Sequence, residues 1–390
     1  MSYMKRAKEL EKEIIAHRRH IHANPEIGLD LPNTVAYVKE QLVQMGYEPK
    51  DVCEGGLSAT VGVGEKTILL RADMDALPIQ EETGLPFASK KEEMAHTCGH
   101  DLHTAMLLGA AKLLKENEDC LNGTVKLMFQ PGEEIFIGAE EMLKGGIMED
   151  PKVDCALAMH VFTEHQVSKV FIKEGPVMAS CNGFKITITG KGCHGAMPQK
   201  GIDPINIGVH IHLALQELIA REVGFRDVAI LTIGEFKAGS ACNIIPNTAI
   251  MQGTLRTFDE DIRVYLVERL KTIVEKTAEA FRGTAEVEMF SDNPATVNHP
   301  EFTGTVRRYL EDIAGDDIEV VEGFSTTGSE DFSYIANLVP AVMLFLGASD
   351  LDSGEEVFSL HHPRVMFDER VLSKGAAIYA EIADRWLKEN

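Results

Sequence analysis

The sequence predicts an α/β protein with a largely parallel sheet, interrupted by a second, ferredoxin-like domain. Three observations carry this. Short apolar runs alternate with amphipathic helical stretches through the first part of the chain. From residue 183 the rhythm changes to β-α-β-β-α-β, and after residue 290 the first rhythm returns. At 390 residues the chain exceeds what one hydrophobic core usually serves. The expected division is therefore a discontinuous domain, 1–182 with 291–390, and an inserted domain, 183–290.

Residues 3–22 have helical periodicity, and 33–46 form a second amphipathic helix closed by Gly46. Apolar runs at 57–63, 67–73, 124–130 and 154–160 predict strands, with an apolar helix over roughly 102–117 between two of them. Such runs, apolar throughout, suit a parallel sheet covered on both faces. In the insertion, GFKITITGKG alternates as a strand does. A Pro-led helix, two strands, an acid-led helix and the strand TAEVEMF follow. Beyond it, 299–313 is helical, 317–320 a short strand, 330–337 a helix start, PAVMLFL (340–346) a buried strand and 369–388 the last helix.

Composition narrows the function. Hydrophobic residues make up 44% and charged residues 25%, as in a folded soluble protein rather than a disordered one. No apolar run approaches the ~20 residues of a membrane helix, and MSYMKRAKELEKEII lacks the apolar centre of a signal peptide. With 38 basic and 61 acidic residues the net charge is −23, which repels phosphate backbones, and no basic stripe offsets it. Neither a nucleic-acid partner nor a membrane is expected. Seven widely spaced cysteines, an odd number, fit a reduced cytoplasm.

The densest chemistry lies at 95–105, AHTCGHDLHTA. Thiolate, imidazole and carboxylate are the usual ligands of zinc-like ions. Cys98 and His100 are two apart, and in extended backbone they share a face. One histidine there would read as a satisfied polar side chain. Three histidines, a cysteine and an aspartate favour a metal site, without fixing how many ions it holds. MFQPGEE (128–134) turns at Pro-Gly after a strand and ends in Glu133 and Glu134, where a metal would make one carboxylate a ligand and the other a base. LAMHVF (157–162) sets His160 at the end of an apolar strand. RADMDALP (71–78) pairs Asp73 and Asp75 at a strand end, and Asp75 suits a carboxylate that orients a ligand histidine from behind. LHHPRVMFDE (360–369) adds two histidines. There is no phosphate loop, G-x-S-x-G elbow or H-E-x-x-H, which disfavours NTPases, serine hydrolases and one-zinc thermolysin-type peptidases.

Taken in order, these segments resemble the aminoacylase / carboxypeptidase G family of di-metal amidohydrolases, in its hippurate hydrolase and indoleacetyl-amino acid hydrolase subgroup. The resemblance also takes in RRHIHANPEIG (18–28), GCHGAMPQKGIDP (192–204), NIIPNTA (243–249), GTLRTF (253–258) and GSEDFS (328–333). It implies that the inserted domain is a lid through which the chain forms a homodimer. It implies two divalent ions (Zn, Mn, Co or Ni) on Cys98, His100, Glu134, His160 and His361, with His362 as the fallback for the last. The missing histidine at Asp73-Met74-Asp75 is typical of the subgroup. Glu133 matches the general base acting on a metal-activated water, and His194 the lid histidine that reaches the partner subunit's site. Asn243 and Arg256 match groups holding the substrate α-carboxylate, and Gly328 lines the same pocket. The implied reaction is hydrolysis of the amide of an N-acyl-L-amino acid. The alternatives are a dipeptidase or carboxypeptidase, an N-acetyl-diaminopimelate deacetylase, or an inactive metal-binding scaffold.

Overall fold

The computed structural model describes residues 2–315, 317–354 and 356–390. The chain divides into two compact units. The first comprises Met1–Gly175, Val297–Phe324 and Asp331–Asn390, and the second Pro176–Thr296 with Ser325–Glu330. The second unit thus starts before residue 183, runs past 290, and recruits a short stretch from far along the chain. No sequence period marks that stretch, because it joins by a few backbone bonds rather than as an element of its own. One of them is Ala179 N to Gly328 O, at 2.9 Å.

An eight-stranded sheet organises the first unit. Its spatial order is Lys50–Cys53, Gly56–Val61, Thr124–Gln130, Thr67–Asp73, Cys155–Gln166, Ala341–Ser349, Lys169–Ile172 and Glu319–Glu322. The four central strands are parallel, and the flanks add antiparallel pairs. Thr67–Asp73 and Thr124–Gln130 are buried along their whole length, which is why their sequences are mostly apolar. The strand expected to stop at His160 continues to Gln166, because Ala341–Ser349 goes on pairing with it. Its other neighbour, Thr67–Asp73, pairs only as far as Ala158, so His160 stands where the sheet has opened on one side.

Helices Tyr3–His22, His100–Glu116 and Arg370–Glu389 pack together against this sheet. They approach closely at Gly109, where an added Cβ would lie 2.8 Å from Ile14 and 2.9 Å from Ala376. Among the described residues, no helix is long and apolar enough to cross a membrane.

The second unit is a four-stranded antiparallel sheet in the order Ala229–Ala238, Thr248–Thr257, Asn182–Thr189, Thr284–Met289. Helices Pro204–Glu222 and Glu260–Ala280 cover it. Ile207, Ile211, Leu215 and Leu218 form the buried stripe of the first helix, and Leu266, Leu270 and Val274 that of the second. Asp203 and Asp259 cap the helix N-termini, accepting from Ile205 N and Ile262 N at 2.9 Å each.

Candidate metal centre

Four segments of the first unit deliver donor atoms to one place. The stretch from Cys98 to His100 is bent rather than extended. Gly99 turns left-handed (φ 91°), and His100 opens the helix behind it. A Cβ on Gly99 would sit 2.5 Å from the Val161 side chain, so only glycine allows the turn so close to the strand. Among the sets of ligand atoms that lie within 4.8 Å of one another are Cys98, His100 and His160; Cys98, Glu134 and His361; and His100, Glu133 and Glu134. His160 Nε2 is 3.5 Å from Cys98 Sγ. His361 Nε2 is 3.3 Å from the same sulfur and 3.5 Å from Glu134 Oε1. His362 turns away and stacks on Phe358 with ring centroids 4.3 Å apart. His361 has φ 64°, a conformation a non-glycine residue adopts at a cost of about 1–3 kcal/mol.

Asp75 binds the segment together. Its carboxylate accepts from the backbone N–H groups of Glu133 and Glu134 at 3.0 and 3.1 Å. Its carbonyl oxygen accepts from His100 Nδ1 at 2.9 Å, while the carboxylate stands 3.4 Å from that nitrogen. The expected carboxylate–imidazole contact is therefore made chiefly by the main chain, and the carboxylate is occupied with the glutamate loop. Either way the proton is fixed on Nδ1 of His100, and Nε2 faces the other donors.

These groups fit a cation. His100 Nε2 and Glu134 Oε1 are buried without a hydrogen-bond partner, an arrangement that costs stability unless something positive completes it. Electrostatics agrees. Burial opposes charge on His100, but Asp73, Asp75 and Glu134 outweigh it and push its pKa up to about 10. Burial raises the Cys98 thiol well above its ordinary value, and Glu134, Glu133 and Asp73 add to the rise. Burial lifts Glu134 to about 7, with Asp75 adding to it against the pull of His100. Divalent ions would relieve all three.

The sequence did not separate the remaining polar residues of 96–103, and the structure does. Asp101 accepts from Arg18 Nε and contacts His22 Nδ1, both at 2.8 Å. His103 bonds Asp73. Arg18 and Arg71 received no role from the sequence. Each is a fully buried guanidinium, a feature that a lone arginine in an apolar strand or helix signals only weakly.

His194, Asn243, Arg256 and Gly328 all belong to the second unit. His194 pairs in a short ladder with Ile244, and Asn243 O accepts from Gly195 N at 2.8 Å, so His194 and Asn243 are exposed neighbours. Arg256 donates to Thr327 O at 3.1 Å and Ser329 Oγ at 3.0 Å, flanking Gly328. The strand Thr248–Thr257 separates the two pairs. Asn243 thus lies in the turn ahead of that strand and Arg256 near its end.

The model of peptidase family M20/M25/M40 matches residues 69–385. N-acetyl-L-cysteine deacetylase of Bacillus subtilis is 38% identical over 98% of this chain and 90% of its own. Thermostable carboxypeptidase 1 of Saccharolobus solfataricus is 38% identical over 96% of each chain. Among solved structures, a dinuclear metal binding peptidase of the M20 family from Bacillus subtilis superposes with a TM-score of 0.83 and 32% identity, covering 98% of this chain and 99% of that one.

Proposed function

The chain belongs to peptidase family M20/M25/M40, and from that premise we propose that it hydrolyses the amide of N-acyl-L-amino acids in a reducing cytoplasm. The observation that carries the reading is the convergence of Cys98, His100, Glu134, His160 and His361 beside a buried Glu133. Those five side chains would hold two divalent ions, which acidify a water and polarise an acyl carbonyl. Glu133 accepts the proton of the attacking water and returns it to the leaving amine. His194 donates to the carbonyl oxygen as charge builds there. Arg256 holds the α-carboxylate by charge-assisted hydrogen bonds, with Gly328 leaving room beside it.

The separation of His194 and Asn243 from Arg256 supports a homodimer, in which the first pair serves the partner subunit's centre and Arg256 its own. The edge strand Ala229–Ala238, with Ile230 and Phe236 exposed, offers a surface for such pairing. The similarity to a carboxypeptidase favours a second reading, cleavage of peptides from the C-terminal side. Elemental analysis and turnover of N-acetyl-L-methionine, hippurate and a blocked and an unblocked dipeptide decide between them. Two ions per chain with preference for the acyl amino acids is expected. Preference for the unblocked dipeptide overturns the first reading, and absence of bound metal overturns both.

A further inference from the structure

His103 lies one helical turn beyond His100, fully buried, with its ring centroid 4.7 Å from that of His160. With His100 and Asp73 it falls within metal-ligand spacing. Both of its ring nitrogens are spent on protein. Nδ1 is 2.6 Å from Asp73 Oδ1. Nε2 is 3.0 Å from the backbone nitrogen of Val161. An amide N–H only donates, so Nε2 must carry a lone pair and the ring proton sits on Nδ1, where the carboxylate accepts it. The other oxygen of Asp73 accepts from Arg71 Nη1 at 2.6 Å, and its carbonyl accepts from the Thr104 hydroxyl at 2.7 Å. Arg71 is itself fixed by Gln130 at 2.9 Å and Asp331 at 3.1 Å. On the far side, Val161 O accepts from His160 Nδ1 at 2.8 Å, which leaves His160 Nε2 toward Cys98.

We propose that His103 is a positioning residue that is withheld from the metal and sets the geometry of His160. The buried chain Arg71–Asp73–His103 grips the peptide joining His160 to Val161 by its N–H. The carbonyl of Val161 then fixes the tautomer and ring direction of His160. One residue, Val161, thus carries order through its N–H and its C=O from a buried guanidinium to a ligand nitrogen, without either carboxylate or imidazole of the chain touching an ion. The inference rests on the metal-centre reading and adds a residue to it.

Two substitutions split the two bonds. Asn in place of His103 keeps a donor toward Asp73 but has no atom to accept from Val161. Gln reaches the Nε2 position and accepts that N–H, but gives up Asp73. The probe is cobalt(II) added to protein stripped by a chelator, read by competition for the ion and by the thiolate-to-cobalt absorption band of Cys98. His103→Asn is expected to weaken cobalt binding about 10- to 100-fold, the usual effect of losing a partner that orients a ligand, and to alter the band. His103→Gln is expected to restore most of both. Wild-type affinity and spectrum in His103→Asn, or equal losses in the two variants, overturn the proposal. If neither variant folds, wild-type protein labelled with nitrogen-15 histidine decides. A neutral Nδ1–H ring whose Nε2 resonance is unmoved by zinc is expected, and its absence overturns the proposal. Wild-type protein that binds no cobalt sinks the metal-centre reading itself.

Discussion

The donor cluster of the first unit and the groups of the second proposed to meet substrate are built in opposite ways. Cys98, His100, His160 and Glu133 are each at most 7% exposed and are held by buried partners such as Asp75. His194 and Asn243 are exposed, and Arg256 is half-buried a strand's length away. Buried, interlocked donors keep one geometry before any ligand arrives, as bond-making groups require. Exposed groups on a separate unit are cheap to move, and in the proposed function they assemble only when substrate and neighbour are present. Chemistry is thus expected to fail locally when the first unit is altered, and assembly to fail when the second is.

The largest effect should come from Glu133→Gln. Turnover is expected to fall about 100- to 10,000-fold, the range for loss of a general base, with metal content unchanged. Glu134→Gln should instead lose metal. Retention of activity within a few-fold by Glu133→Gln would erase the distinction between the two glutamates.

Next in size is the test of assembly. Glu133→Gln and His194→Ala homodimers should each be nearly inactive. After subunit exchange, activity should return toward one working site per heterodimer. Native mass spectrometry establishes the exchange. Confirmed heterodimers without activity would put His194 to work in its own chain or in none.

Arg256→Met should raise KM by about 10- to 100-fold, the equivalent of the roughly 1.5–3 kcal/mol of a hydrogen bond to a charged group, with a smaller change in kcat. Steady-state kinetics on an acyl amino acid and on its amide, which lacks the carboxylate, measures this. An equal penalty for both substrates would detach Arg256 from carboxylate recognition.

The smallest effect contrasts the two units in acid. Glu81 and Glu222 are both pushed down to about 2. In Glu81 burial works against the charge, and bonds from His22, Thr83 and Ser89 overcome it. In Glu222, on the surface, bonds from Arg269 and Tyr265 do so alone. A carboxylate whose folded pKa lies below its unfolded value of 4.5 gives its full stability above that value and loses it as pH falls toward 2. Glu81→Gln should therefore blunt the acid sensitivity of the first unit between those limits. Glu222→Gln should change little, and less still in salt, because exposed pairs are screened. Circular dichroism during acid titration checks both.

The layout of strands and helices was legible because it follows from periods of apolar residues. Ile207, Ile211, Leu215 and Leu218 sit one turn apart, and Thr67–Leu70 is mostly apolar because both faces of its sheet are covered. The donor residues were legible as residue types at turns after strands. What remained hidden depends on direction. Nothing in HTCGHDLHTA tells which histidine faces an ion and which, like His103, faces a peptide, because that choice is made by Asp73 and Val161 from other strands. Likewise LHHP leaves His361 and His362 equivalent until the positive φ of His361 turns one ring inward. The recruitment of Ser325–Glu330 into the second unit rests on backbone bonds that every residue offers.

The proposed ligand set also has an order in time. A ribosome releases Cys98, His100, Glu134 and His160 within the first half of the chain, and His361 only some 200 residues later. At about 5–20 residues per second that is a delay of roughly 10–40 s. The strand that carries His160 waits equally long for its parallel neighbour Ala341–Ser349. Throughout that interval the Cys98 thiol has neither its last companion ligand nor its finished sheet. On the proposed ligand set, metal capture in its final form would be a closing event of biosynthesis, and the newborn chain, more than the mature enzyme, would be where oxidation or a wrong ion does its damage.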